Sequence, residues 1–146
     1  MSRRADALHV VQINFFVDPQ GRAPERLLRD WFPLLDVAAA VAVAGERTTV
    51  IQASTVTGTI VQSGATFHFV APERPGAPLT RSGAFRALVR ELAADVLHVH
   101  GLGFGREVYE LHELAPCTPI LLQDHADRVP RFFRRPAWRG APGVAS

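Results

Sequence analysis

Apolar positions alternate along this chain between strand-like runs and helical spacing. The first run, residues 8–17, is almost continuously β-branched or aromatic, which is typical of a central strand covered on both faces. Shorter runs of the same kind predict five further strands, at residues 48–53, 59–62, 66–70, 95–100 and 119–123. Ser63 and Gly64 lie between two of these runs and predict a hairpin turn.

Between the runs, apolar residues recur at helical spacing. Pro24 opens a helix whose pattern is interrupted by Pro33, which predicts a kink or two consecutive helices before Gly45. Residues 85–92 and 108–115 predict two more helices. This alternation predicts an α/β fold, a Rossmann-like open, mostly parallel sheet with helices on both faces.

Ligands of such sheets bind outside the carboxyl ends of the strands. The order of elements brings three segments to that edge: residues 18–23, 100–106 and 123–128. They contain most of the polar side chains and glycines that could carry chemistry.

His98 and His100 stand two apart on a predicted strand, so both point to the same face. A His-x-His pair can ligate zinc, with Asp124 and His125 as further ligands. The alternative is a core histidine at position 98, hydrogen-bonded to a neighbour, with His100 alone at the mouth of the site. No further ligand spacing supports zinc, which favours the second interpretation.

Gly101, Gly103 and Gly105 follow a strand and precede a helix, the context of a phosphate cradle. The run departs from G-x-G-x-x-G, because Arg106 occupies the position of the third glycine. We interpret it as a loop that lets a ligand or a second domain approach the backbone.

Composition narrows the function classes. The chain has 146 residues and a net charge of +2, all 16 of its basic residues being arginine, and this charge is too small for a dedicated nucleic-acid binder. A single cysteine excludes a disulfide framework and suits a reducing compartment, so we expect a cytoplasmic protein. No apolar run reaches the length of a membrane span.

The last segment, residues 128–146, interleaves arginines with Phe132, Phe133 and Trp138. One interpretation is a segment that binds phosphate or contacts a membrane surface peripherally. The other, which we prefer, is an arm whose aromatic side chains pack on a part of the protein outside this chain.

The order of these pieces resembles the N-terminal domain of the family-4-like glycosyltransferases, which have the GT-B fold. The strongest likeness is residues 95–101, DVLHVHG, which is similar to that family's "D-v-v-H-v-H-g" strand. Four other segments contribute to the resemblance: residues 8–17, 21–26, 63–70 and 119–125. One departure is Arg22, which stands where the family has the second glycine of its first loop.

The resemblance implies an acceptor-side domain over residues 1–127, with residues 128–146 beginning a remainder that includes a donor-binding C-terminal domain. It implies transfer of a sugar, with retention of configuration and without metal or cofactor, from a nucleotide-sugar donor to a sugar or lipid-linked acceptor. His125 would be the catalytic residue, near the transferred sugar. The donor–acceptor junction would be formed by Gly21, Arg22, His100, Gly101, Gly103, Asp124 and Arg128. Without a second domain to close the cleft, we expect this chain alone to have no measurable transferase activity.

Two alternatives stay open. One is a stand-alone α/β module of flavodoxin-like shape that binds a phosphate or nucleotide at the glycine run. The other is a metal-dependent hydrolase whose ligands are His98, His100, Asp124 and His125. One sheet topology hosts many chemistries, so the fold does not choose among them.

Overall fold

The described part of the chain is built around one mixed sheet. The structure is a computed structural model, and it describes residues 7–124, without the side chains of residues 32–34. In that part the strands are β1 (His9–Asn14), β2 (Arg47–Ala53), β3 (Gly58–Gln62), β4 (Ala65–Val70), β5 (Val96–His100) and β6 (Ile120–Gln123). The α-helices are α1 (Pro24–Asp30), α2 (Phe32–Val43), α3 (Gly83–Leu92) and α4 (Gly105–Leu114). A short 3-10 turn, Leu79–Arg81, precedes α3.

The strand order is β3-β4-β2-β1-β5-β6, and β3, which pairs with β4, runs antiparallel to the other described strands. Across the sheet, the five parallel strands stand in the order β4-β2-β1-β5-β6. Renumbered one to five along the chain, this order is 3-2-1-4-5, which is the doubly wound order of Rossmann-like sheets. The prediction of an open, mostly parallel sheet is confirmed. The flavodoxin-like shape expected for a stand-alone module is wrong, because that order places the second strand at the edge and the first and third strands side by side.

The first strand is central, between β2 and β5, but ends three residues earlier than the apolar run predicts. Asn14 causes the early end, because its side-chain Oδ1 accepts a hydrogen bond from the backbone N–H of Phe16 at 3.1 Å. This local turn directs the chain out of the sheet, and the side chain of Phe16 is left half exposed.

Helices cover both faces of the sheet, as predicted. Helices α1 and α2 lie on one face, which we call the α1/α2 face, and Pro33 stands in the first turn of α2, so the two helices are consecutive. The core of this face consists of Leu27, Leu28, Ala38, Val50, Ala65, Phe67 and Phe69. Helices α3 and α4 cover the other face, the α3/α4 face, over a core of Val11, Ile13, Phe15, Ile51, Ala53, Val70, Leu79, Phe85, Val89, Leu97, Val99 and Leu111.

The predicted hairpin turn is confirmed between β3 and β4. Ser63 and Gly64 both have positive φ, at 53° and 76°, which is the geometry of a two-residue turn that matches the twist of the strands.

Candidate functional site

Four polar side chains form a row across the carboxyl ends of neighbouring strands. Asn14 of β1 is in register with Gln52 of β2 on one side and with His100 of β5 on the other, and His100 is in register with Gln123 of β6. The strand order reverses between β1 and β5, and such a reversal opens a crevice for ligands. The row therefore crosses the place where a Rossmann-like sheet binds its ligand.

Two of the three segments predicted to meet at this edge do so. The loop that contains Gly21 leaves β1, and the loop that contains Gly101 leaves the adjacent β5. Of the third segment, Gln123 is the last residue of β6, and Asp124 follows it at the same edge and is exposed. His125 and Arg128 lie outside the described residues.

The two histidines of β5 lie on the same face, as predicted. Their ring centroids are 4.3 Å apart and both residues are buried, each with 7% of its surface exposed. The two histidines are therefore equally buried, and burial does not distinguish a core histidine at position 98 from a histidine at the mouth of the site at position 100. His100 differs in being the last residue of its strand and in bonding through Nε2 to the side-chain Oε1 of Gln12, at 2.9 Å.

Gln12 is a residue of this site that the sequence analysis missed. It is fully buried in the middle of β1, and its Nε2 donates to the hydroxyl of Thr48 on β2 at 3.1 Å. The amide thus links β2 to His100 across the central strand. The available signal was a glutamine within an apolar run, at a position where a β-branched residue suits a buried strand better.

Gln52 is a second fully buried amide on the α1/α2 face. Its Nε2 donates to the carbonyl oxygens of Phe16 and Ala53, both at 2.8 Å. Among the described residues its Oε1 has no hydrogen-bond partner. Gln52 therefore ties the loop after β1 to the end of β2.

Asp18 organises the loop between β1 and α1. It is buried, and its carboxylate accepts the backbone N–H of Gln20 and that of Arg22, each at 3.0 Å. Burial alone would raise the pKa of Asp18, but these two hydrogen bonds and the Arg22 charge outweigh it and hold the pKa below its usual range. Gly21 lies inside this turn at φ +60°, a conformation that favours glycine.

Arg22 is held by the loop itself. Its Nε lies 3.7 Å from the Asp18 carboxylate and 3.6 Å from that of Asp30 on α1, and it donates to the side chain of Gln20 at 3.2 Å. Only 17% of the side chain is exposed. Arg22 therefore has a structural role in closing the loop.

Of the glycine run, Gly101 alone needs glycine in its present surroundings. Its φ is +91°, and a Cβ there would lie 3.4 Å from the ring of Phe104. Its N–H donates to the carbonyl of Gln123 at 2.7 Å, which joins the loop to β6. At Gly103 and Gly105 a Cβ would meet no atom within 4 Å, so these two leave the first turn of α4 open.

A cleft of about 150 Å³ opens beside the first turn of α4, on the α3/α4 side. Glu110 of α4 bonds that helix to the 3-10 turn that begins with the lining residue Leu79: it accepts from the Thr80 hydroxyl at 2.6 Å and from Arg81 at 3.2 Å. The hydrogen bond from Thr80, followed by Arg81, keeps the pKa of Glu110 below its usual value despite partial burial. The lining residues are Phe15, Val17, Pro72, Gly76, Ala77, Pro78, Leu79, Arg106 and Glu107.

Within residues 7–124, no three His, Cys, Asp or Glu side chains come together in a group that could hold a metal ion. The hydrolase alternative also needs His125, which lies outside that range. Over the same residues, every helix is too short or too polar to cross a membrane.

The sheet order is consistent with a Rossmann-like domain, and the candidate residues lie at the carboxyl ends of its strands. Compared with known proteins, the chain matches no family model, no curated protein and no solved structure. The functional argument therefore rests on the sequence motifs and on the geometry of this edge.

Proposed function

We propose that this chain is the acceptor-side domain of a retaining glycosyltransferase. The observation that supports the proposal is that the loop with Gly21 and the strand end with His100 and Gly101 follow the adjacent strands β1 and β5, at the strand-order reversal. These are residues of the motifs on which the resemblance to that family rests.

The chemistry required is a transfer of one sugar. The bond between the anomeric carbon and the phosphate oxygen of the donor breaks, and a bond from that carbon to an acceptor hydroxyl forms. The acceptor hydroxyl must be held in place and must lose its proton. An imidazole suits this position, because one ring nitrogen donates and the other accepts a hydrogen bond.

The polar row fits a neutral, hydroxyl-rich acceptor better than an anion. Asn14 and the exposed Gln123 carry amides, which both donate and accept hydrogen bonds but have no charge, whereas Gln52 is fully buried and its Nε2 is already bonded to backbone carbonyls. The nearby Arg22 is engaged with Asp18 and Asp30. Among the described residues of this edge, the row therefore offers uncharged amides and an imidazole, while Arg22 is already engaged with carboxylates.

A phosphate- or nucleotide-binding module is a second candidate, favoured by the cleft beside α4. Arg106 lines that cleft, and the helix begins without a side-chain cap, which leaves backbone N–H groups for an anion. The same groups, Arg106 and the backbone N–H groups at the start of α4, would bind the donor phosphates of a transferase or the phosphate ligand of such a module.

Ligand-observed NMR on the 146-residue chain tests the proposal. We expect saturation transfer to a neutral sugar probe such as methyl α-glucoside, weak binding in the millimolar range, and no transfer from UDP-glucose or GDP-mannose. The variant His100→Gln should weaken sugar binding at least about tenfold, the equivalent of roughly 1.4 kcal/mol. The matched control is His112→Gln on the exposed side of α4, which should leave binding unchanged.

The other outcomes separate the candidates. Binding of UDP alone, lost in Arg106→Ala and kept in the exposed control Arg90→Ala, would replace the transferase proposal with the binding module. Stoichiometric zinc in the purified chain, lost in His100→Ala, would favour the hydrolase. Sustained transfer by this chain alone would contradict the need for a second domain.

A further inference from the structure

The strand β3 forms an open edge of the sheet. It pairs with β4 on one side, and no other strand of the described residues pairs with it. Thr59 and Val61 are exposed, and Val61 has 75% of its surface accessible. An open edge presents backbone N–H and C=O groups with which a further strand can pair.

The two-residue turn between β3 and β4 determines which backbone groups face outward. In such a hairpin the residues on either side of the turn, here Gln62 and Ala65, are hydrogen-bonded to each other, and inward bonding then recurs at every second residue. Ile60 therefore bonds to β4. The N–H and C=O groups of Thr59 and Val61 point away from β4, towards the open edge.

β3 lacks the features that usually protect an edge strand from pairing with another chain. Natural edge strands commonly carry charged side chains, a proline or a bulge. Residues 48–72 include no arginine, lysine, aspartate or glutamate, and β3 itself has no proline. The other edge strand of the described sheet, β6, is one residue shorter and is followed directly by the charged Asp124. β3 is therefore the edge better suited to pairing.

We propose that β3 pairs antiparallel with β3 of a second copy of this chain, across a two-fold axis. Such a contact sets a strand against its own side chains, and an uncharged strand does this without bringing like charges together. With Ile60 on the axis, Thr59 of each copy lies opposite Val61 of the other. The outward N–H and C=O groups of both residues are then paired, and two β-branched side chains cover each other.

The dimer should be weak, because one five-residue strand from each copy makes only a small contact. We expect a dissociation constant in the micromolar range. Sedimentation velocity of the full chain, from micromolar to millimolar concentration, should show the mass rise from that of one chain to that of two. It should rise no further, because two-fold pairing uses the β3 edge of both copies.

Two variants at one exposed position test the edge. Val61→Lys places two charges in the symmetric contact and should weaken self-association at least about tenfold. Val61→Pro removes an N–H that β4 does not use, so it should weaken the dimer while the hairpin is kept. Far-ultraviolet circular dichroism checks that both variants are folded.

Leu121→Lys is the matched control, since it makes the same kind of change at a half-exposed residue of the other edge strand, β6. It should leave the dimer unchanged. Amide hydrogen exchange gives a second measurement: exchange at Thr59 and Val61 should slow as the chain concentration rises, whereas exchange at Ile60 should not change.

Three results would overturn the proposal. One is a chain that stays monomeric at millimolar concentration, which would leave β3 to an extended segment of another protein. Another is a dimer that survives both Val61 variants or is lost in Leu121→Lys. The third is a dimer in which exchange at Thr59 and Val61 is unchanged. The contact lies at the far end of the sheet from β5, so none of these results depends on the proposed function.

Discussion

His9 shows how a single buried side chain connects distant parts of this chain. The ring lies at the amino end of β1 and bonds to the carbonyl of Leu92 through Nδ1 at 3.0 Å and to the Thr49 hydroxyl through Nε2 at 2.8 Å. Its backbone N–H donates to the carboxylate of Asp95 at 2.7 Å. One residue thus joins β1 to β2 and to the end of α3.

The same burial makes His9 a source of acid sensitivity. Desolvation, followed by the charge of Arg47, lowers the pKa of His9 below 6.5 against the opposing effects of Leu92 and Asp95. The unfolded chain then binds a proton below pH 6.5 that the folded chain does not take up. Above about pH 6.5 the free energy of unfolding should therefore keep its full value. It should fall as the pH drops from 6.5 towards the lowered pKa of the folded state.

Urea unfolding at pH 7.5, 6.5 and 5.5 measures this slope. His9→Asn should be less stable at pH 7.5 and should show a shallower slope, the rest coming from His68, whose pKa burial also lowers. His112→Asn, on the exposed side of α4, should keep the wild-type slope. A slope that stays the same in His9→Asn would assign the acid sensitivity to other groups.

At the level of elements, α3 ends in a conformation that its sequence does not favour. Ala93 follows the last turn with φ 45° and ψ 55°, in the left-handed region. Helices commonly end this way, but with glycine, because a Cβ is strained there. The end of α3 therefore stores a small amount of backbone strain at a residue outside the proposed site.

Ala93→Gly should relieve that strain. We expect the free energy of unfolding to rise by about 0.5–1 kcal/mol, since the lost strain exceeds the added flexibility of the unfolded chain. The control, Ala40→Gly at an exposed position inside α2, should lower it by about 1 kcal/mol. Thermal unfolding followed by circular dichroism measures both, and a loss of stability in Ala93→Gly would contradict the strain argument.

At the scale of the whole molecule, two apolar cores share one sheet. Phe67 is fully buried on the α1/α2 face and Phe85 on the α3/α4 face. Every backbone hydrogen bond of the central strands supports both cores, so the two should unfold together.

Phe67→Ala and Phe85→Ala should each lower the free energy of unfolding by about 3–5 kcal/mol, because each leaves a cavity at a closely packed position. In both variants, far-ultraviolet circular dichroism and tryptophan fluorescence should report a single coincident transition. Two separate transitions in either variant would mean that the faces unfold independently.

The sequence was sufficient to predict the helices, the strands and the mostly parallel sheet, because these depend on the local spacing of apolar residues. Pro33 separated two helices, and Ser63–Gly64 formed the hairpin turn, as expected from their own conformational limits. The early end of β1 was missed, since the side-chain bond from Asn14 overrides the apolar character of the next three residues.

The candidate site was harder to predict, because its contacts join residues far apart in the chain. Gln12 and His100 are separated by 88 positions, and no local pattern pairs them. Arg22 was identified by its position in a motif, yet its role in the loop depends on Asp30 of the following helix. Strand register, which the sequence leaves open, decides which polar residues meet.

The central place of β1 has a consequence for how the chain folds as it is made. Among the described strands β1 is synthesised before the others, and its neighbour β5 follows much later: His9 and Asp95, which bond where the two strands meet, are 86 positions apart. At a translation rate of about 5–20 residues per second, one edge of β1 waits roughly 4–17 s for its partner. For that interval a nascent chain exposes the unpaired backbone N–H and C=O groups at one edge of its central strand to other chains, and contacts of such long range also slow the final pairing. Chaperone occupancy should be greatest after β2 has emerged and should end once residue 100 leaves the ribosome.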